Sequence, residues 1–278
     1  MSTNTAKDSP SLDALRREID TVDSEIHGLL MRRAEVIEQL IAAKKLGERG
    51  AAFRPGREAA MMRALQERHR GPLPLSIVEH LWREIIGTFT QLQAPYRVLS
   101  ARAEDPRVRD LLRYAFGFSV PLITAASDSE AVATVARTGT DLAVVILDRP
   151  LDERWWVDID LTGEPAPDAG IHGAKVIAAL PFLPPTEGFD FPTALILGPA
   201  DVDAPTEACI YALSLTAQTS ASALESFGVL LAYGTAGALL ASDRTPAEIN
   251  SVLAPAAAVF GTVTWIGNLA APYNWTFG

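Results

Sequence analysis

Cysteine is almost absent from this chain. The single thiol, Cys209, excludes an intrachain disulfide and any metal site built on cysteines, and its apolar surroundings read as those of a buried thiol. Long apolar runs are missing too. No stretch of about 18 apolar residues is available to span a bilayer, and no basic start leads into an apolar segment, so the expectation is a cytoplasmic protein that makes no membrane contact. Basic residues are scarce in the second part: residues 98–278 hold 9 Lys and Arg against 21 Asp and Glu, whereas residues 1–97 hold 15 against 13. An acidic surface repels phosphate backbones, which argues against nucleic acid as a partner. The asymmetry predicts two regions with different tasks.

What is present is enough apolar material, 48% of 278 residues, for two domains or three small ones. From Leu12 the residues Leu15, Ile19, Val22, Ile26 and Leu29 recur at spacings of three and four, and Val36 and Leu40 extend the stripe towards Leu46. That pattern predicts one long helix, with Ser11 as N-cap and Gly47 and Gly50 as its stop. A rod of about 50 Å is too long to cover its stripe with two short helices, so a second copy of the chain is the expected cover. Pro55 opens a short second helix ending near Arg70, and Gly71-Pro72-Leu73-Pro74 breaks the chain. In a third helix Leu81, Ile85, Phe89 and Leu92 share one face, and Ala94-Pro95 ends it.

Beyond Pro95 the pattern changes to short strands between helices. Arg97–Ser100, a helix over 106–116, Pro121–Ala125, a helix over 129–138 and Asp141–Leu147 read as βαβαβ with a largely parallel sheet. Strands over 174–180, 194–197, 209–215 and 263–266 follow, with a helix over 221–231. Residues 151–173 read as irregular, and Asp168 and His172 within them read as loop residues rather than an acid–base pair. The expected fold is multi-domain: a disordered start over 1–10, an all-α domain over 11–95, an α/β region over 96–205 and an α+β region over 206–278.

Several charges fall where packing alone would place apolar groups. Arg33 continues the apolar stripe seven residues after Ile26, and Lys44 follows eleven residues later on the same face, about 16 Å along the axis. Two long cationic side chains can close that gap around a small anion, and a buried guanidinium needs such a partner. Arg16 lies by the same stripe but about 25 Å before Arg33, out of reach of the same ligand within one chain. In an antiparallel dimer it reaches the neighbouring chain's pocket.

The segments Leu12-Asp13-Ala14-Leu15-Arg16-Arg17-Glu18-Ile19-Asp20, Leu29-Leu30-Met31-Arg32-Arg33, Lys44, Arg54-Pro55-Gly56-Arg57-Glu58 and Leu81-Trp82-Arg83-Glu84-Ile85-Ile86 closely resemble the all-helical chorismate mutases, nearest to those fused in front of prephenate dehydratases. The resemblance covers about 85 residues and implies an intertwined homodimer that rearranges chorismate to prephenate. It implies that Arg33, with Arg16 of the other subunit, holds substrate carboxylates, that Arg57 adds positive field, that Lys44 and Gln93 bond the ether oxygen, and that Glu58 accepts from the ring hydroxyl. An intramolecular rearrangement of a dianion needs no metal, nucleophile or cofactor, only a folded substrate and stabilisation of charge on the ether oxygen. Two positions depart from the family. Phe89 replaces a small polar residue four before the glutamine, and Arg54 replaces an acidic residue of some members.

The second part resembles a prephenate dehydratase less closely. Leu99-Ser100-Ala101-Arg102-Ala103 stands where a glycine-rich turn belongs, Asp148-Arg149-Pro150 replaces Glu-Asn-Ser, and Thr193-Ala194-Leu195 replaces Thr-Arg-Phe. Residues 209–267 resemble a diverged ACT domain of βαββαβ type without its phenylalanine motifs, and any amino-acid effector is unidentified. The leading expectation is a chorismate mutase whose second part is a non-catalytic stabiliser or regulator. A metabolite sensor without turnover and a bifunctional mutase/dehydratase are the alternatives.

Overall fold

The computed structural model describes residues 11–44, 53–157, 159, 173–183, 190–200, 202–217, 219–253, 260–273 and 275–277. The start over 1–10, the stop signals Gly47 and Gly50, and the Asp168 and His172 pair lie outside them. The chain divides into two compact units, residues 1–49 and 50–278.

In the first unit the apolar period forms one helix, α1 (Leu12–Lys44). Ser11 caps it: its Oγ accepts from Ala14 N at 3.2 Å. The stripe residues Leu15, Ile19, Val22, Ile26, Leu29 and Val36 are exposed, Ile19 at 60% and Leu29 at 65%. An apolar face of this length left in water is an unfinished surface.

The second unit begins with α2 (Pro55–Arg68) and α3 (Leu75–Gln93) and continues β1 (Val98–Ser100), α4 (Pro106–Phe116), β2 (Leu122–Thr124), α5 (Asp128–Thr138), β3 (Leu142–Ile146), β4 (Ala174–Leu180) and β5 (Ala194–Pro199). It closes with β6 (Ala208–Leu215), α6 (Ala221–Glu225), β7 (Val229–Tyr233), β8 (Ala238–Ser242), α7 (Pro246–Leu253) and β9 (Phe260–Leu269). Local punctuation sets the helix ends. Asp105 caps α4 by accepting from Arg107 N at 3.0 Å, with Pro106 behind it, and Ser127 caps α5, which stops at Gly139 in a left-handed conformation, φ 64°.

Among the described residues, nine strands form one sheet in the order β2-β1-β3-β5-β4-β9-β6-β8-β7. The parallel arrangement expected for the βαβαβ part holds, and the rest of the sheet is mostly antiparallel. β1 is parallel to β2 and β3, and β4 to β9, whereas β3–β5, β4–β5, β6–β9, β6–β8 and β7–β8 are antiparallel. The part from β6 to β9 runs βαββαβ with the spatial order β9-β6-β8-β7.

Alternation along β3 builds two cores. Leu142, Val144 and Ile146 join Val108, Leu111 and Leu112 of α4, while Ala143 and Val145 join Val132 and Val135 of α5 with Trp155 and Trp156. A third core packs Tyr211, Leu213 and Leu240 on Leu224, Ile249 and Leu253. In a fourth, Ala59, Met62 and Leu65 of α2 meet Phe182, Leu183 and Ala270. That last core bridges the boundary expected after residue 95.

Two local expectations are corrected. The helix expected over 221–231 stops at Glu225, and Val229–Tyr233 is a strand. Gly228 lets the chain press onto β8, because a Cβ there would stand 2.1 Å from Ala241 O, and an apolar run such as Val229-Leu230-Leu231 has no period to mark it helical. On α3 the buried face is Ser76, Glu79, Arg83, Gly87, Phe89 and Thr90, not the stripe through Leu81 and Leu92, which are 50% and 63% exposed.

Candidate active site

The resemblance-implied residues fall on three helices. Arg16, Arg33 and Lys44 are on α1, Arg54 precedes α2, Arg57 and Glu58 lie in its first turn, and Phe89 and Gln93 are on α3. Arg16 is exposed and paired with Asp13 at 3.2 Å, and Arg33 is half-buried. Arg54 and Arg57 are exposed at the α2 N-terminus. The Gln93 amide donates to Phe89 O at 3.1 Å, which anchors its side chain along the last turn of α3. Phe89 itself is buried at 9%, packed rather than presented as a polar contact.

Glu58 has a different setting. The first turn of α2 turns it inward, and the Arg83 guanidinium of α3 stands 3.8 Å from its carboxylate. Arg83 also donates through Nε to Glu79 Oε1 at 2.9 Å, one helical turn away. Tyr114 of α4 donates to Glu79 Oε2 at 2.9 Å and approaches Ser76 O at 3.1 Å. The Tyr114 ring is held between His80, stacked at 5.2 Å, and Phe191 at 5.0 Å. Burial pushes the Glu58 carboxyl up to about 7, and the Arg83 charge opposes this only in part. Tyr96 stands in the same field, its phenol pushed well above the usual range by burial and by Glu58.

A cavity of about 30 Å³ lies beside Glu58 and Arg83, closed by Phe53, Ile177, Leu180, Phe182 and Ile196. It has room for a water or two, not for an organic dianion. Phe89 and Gln93 are not among the residues that line it. Sequence reasoning missed Glu79, Arg83 and Tyr114 as a group. The i,i+4 spacing of Glu79 and Arg83 was the available signal.

At the carboxyl ends of β1 and β3, where open α/β sheets commonly bind ligands, the chain occupies its own crevice. Arg102 bonds Asp105 at 2.6 Å and is also bonded to Asp148. The Glu153 carboxylate lies across the start of α5, accepting from Ser129 N at 3.0 Å and Asp128 N at 3.3 Å. That is the position an anionic ligand would take at a helix N-terminus. Asp128 is pushed up to about 6, first by burial and then by Glu153. Thr193 spends its carbonyl on Leu147 N at 2.8 Å. Cys209 is buried on β6 with its thiol pushed up by burial, which leaves it inert. Among the described residues no helix is long and apolar enough to cross a membrane.

Residues 15–94 match the family model of chorismate mutase type II. Three curated relatives carry the name bifunctional chorismate mutase/prephenate dehydratase. The protein of Neisseria gonorrhoeae is 37% identical over 83 residues, 30% of this chain and 22% of its own length. That of Pseudomonas aeruginosa is 28% identical over 142 residues, 50% and 39% of the two chains. That of Stutzerimonas stutzeri is 30% identical over 117 residues, 41% and 32%. The matches thus span well under half of each relative. The longest is longer than the 95 residues ahead of the α/β region, so it takes in part of that region. No solved structure matches the chain.

Proposed function

We propose that the chain is a chorismate mutase. The observation that carries this is the match of residues 15–94 to chorismate mutase type II, together with the presence in this sequence of Arg16, Arg33, Lys44, Arg57, Glu58 and Gln93. In this reading Arg33 and the partner subunit's Arg16 take the substrate carboxylates by bidentate bonds. Arg57 strengthens the positive field, with Arg54 beside it at the start of α2. Lys44 and Gln93 stabilise charge growing on the ether oxygen, and Glu58 accepts from the ring hydroxyl. Phe89 supplies apolar wall where the family has a polar contact. No cofactor enters the reaction. The substrate is already folded on itself when bound, so orientation and preorganised charge lower the barrier.

The exposed apolar face of α1 supports a homodimer through that helix, since a second copy laid antiparallel covers the stripe and delivers Arg16. The βαββαβ part supports an ACT-like region, without an identified effector, and the division 11–95, 96–205 and 206–278 follows the resemblance. The α/β region is assigned no dehydration of prephenate. Its crevice is filled by the Arg102, Asp148 and Glu153 contacts, and Ala194 offers no grip for a carboxylate. The names of the relatives favour a second reading, a bifunctional mutase/dehydratase.

One assay separates these readings. Purified protein incubated with chorismate forms prephenate and no phenylpyruvate beyond the enzyme-free rate. Phenylpyruvate lost in Thr193→Ala would establish the bifunctional reading. Binding of chorismate with no product would leave only a sensor.

A further inference from the structure

The Arg83 guanidinium serves two carboxylates. It is 6% exposed, deep between α2, α3 and α4, and it stands at 2.9 Å from Glu79 and 3.8 Å from Glu58. Two negative charges therefore compete for one positive charge in a place from which water is nearly excluded. Glu79, 2% exposed, has the better share because its second oxygen is satisfied separately, by the Tyr114 hydroxyl at 2.9 Å. That hydroxyl comes from α4, in the α/β region. Glu58 receives what is left.

Among the described residues, the groups facing Glu58 are few. α3 contributes Arg83 and Glu79, Tyr96 ahead of β1 contributes its phenol, and α4 contributes Tyr114 through Glu79. The lining from β4, β5 and the following loops is apolar, Ile177, Leu180, Phe182 and Ile196. Among the described residues that line this cavity Arg83 is the only cation, so its division bears directly on the Glu58 charge.

We propose that Glu79 and Tyr114 are positioning residues for Glu58: by holding Arg83 mainly on Glu79, they set how much positive charge Glu58 faces and hence the pH range in which it serves the rearrangement. This rests on the mutase reading above. It makes α4 of the α/β region part of the electrostatics of the helical site, through a side chain that touches no substrate.

Glu79→Gln tests it. The amide oxygen still accepts from Arg83 Nε, and the amide still meets the Tyr114 hydroxyl, so packing is retained while the competing charge is removed. Glu58 then ionises at lower pH, by about one pH unit. The full-length protein labelled with ¹³C at glutamate carboxyls, with Glu58→Gln to assign the signal, reports the titration directly. The pH profile of prephenate formation moves to acid by the same amount. Tyr114→Phe, which keeps the ring but removes the bond that favours the Glu79 carboxylate, loosens its hold on Arg83 and moves both readouts the same way, by less.

An unchanged Glu58 titration in folded Glu79→Gln overturns the proposal, as does a shifted titration with an unmoved activity profile. Absence of any turnover in the unmodified protein would instead overturn the mutase reading and this proposal's functional part with it. Should Glu79→Gln fail to fold, the Tyr114→Phe titration decides alone: no downward movement sinks the idea.

Discussion

A Cβ built on Gly87 would stand 2.2 Å from the carbonyl oxygen of Phe116. The oxygen is backbone at the last residue of α4, so it cannot swing aside, and the approach of α3 to α4 is set by the missing side chain. This contact brings Tyr114 within reach of Glu79.

Gly87→Ala is accordingly expected to destabilise the protein by about 2 kcal/mol or more, although alanine favours helix. Denaturant unfolding measures it. Equal or higher stability would mean that the two helices separate without cost.

Arg63 of α2 and Glu207 ahead of β6 form a two-point ion pair, at 2.8 Å and 2.5 Å. Ala271 joins both, its carbonyl accepting from Arg63 and its N–H donating to Glu207. Both side chains are about 40% exposed, so solvent weakens the attraction. A double-mutant cycle with Arg63→Ala and Glu207→Ala is expected to give a coupling of about 0.5–1 kcal/mol that shrinks in salt. A coupling insensitive to salt would point to packing instead of charge.

Glu58 carries a stability cost with a definite sign. Its carboxyl titrates near 7 in the fold against 4.5 when unperturbed, so the native state holds the proton more tightly than the unfolded chain. The contribution is complete below about pH 4.5 and is lost as pH rises through 7. Glu58→Gln cannot ionise, and Arg83 keeps Glu79 as partner. The variant should match the parent near pH 4.5 and exceed it above pH 7 by about 3 kcal/mol at most. Thermal melts across that range check this, and a constant difference between the two proteins would contradict it.

Much of the fold was legible where local signals decide it. α4 begins and ends at Pro106 and Phe116 as read, because Asp105-Pro106 and Gly117 mark its ends within the sequence itself. The 3.6 period of α1 and the run Ala174–Leu180 were equally explicit. Where the outcome depends on distant partners, the sequence was silent. The apolar run 229–231 becomes a strand only because Ala238–Ser242 stands ready to pair with it. The face of α3 was misread because Glu79 and Arg83 are buried by one another and by Tyr114, some 30 residues on, while a periodicity argument counts them as solvent-facing. For the candidate site, the resemblance supplied residue types in order. It gave no sign that Glu58 shares its cation.

Gln93 offers a pH test of the proposed site. Its amide can donate at any pH, and its N–H to Phe89 O keeps the side chain along the helix end. A glutamate in its place donates only when protonated, and the nearby carbonyl oxygen and partial burial both disfavour its charged form. Gln93→Glu should therefore confine activity to the acid side, below about pH 5–6. A profile like that of the parent would put Gln93 outside the reaction.

The last prediction concerns shared pockets. Arg16 and Arg33 are both on α1, seventeen residues apart, which is about 25 Å along the axis. One small dianion cannot meet both on a single helix. In the proposed dimer each pocket takes Arg33 from one chain and Arg16 from the other, so Arg16→Ala and Arg33→Ala each damage every pocket in their own homodimers. A heterodimer of the two collects both defects in one pocket and leaves the second with a complete set of cations. Equal mixing places about half of the molecules in heterodimers, each with one intact pocket of two, so about a quarter of the parent activity should return. The test is chorismate turnover after the two inactive variants have exchanged subunits, with exchange confirmed by mass spectrometry of differently tagged chains. If exchange is complete and the mixture stays as inactive as its components, Arg16 does not serve the neighbouring chain, and the exposed stripe of α1 needs another explanation.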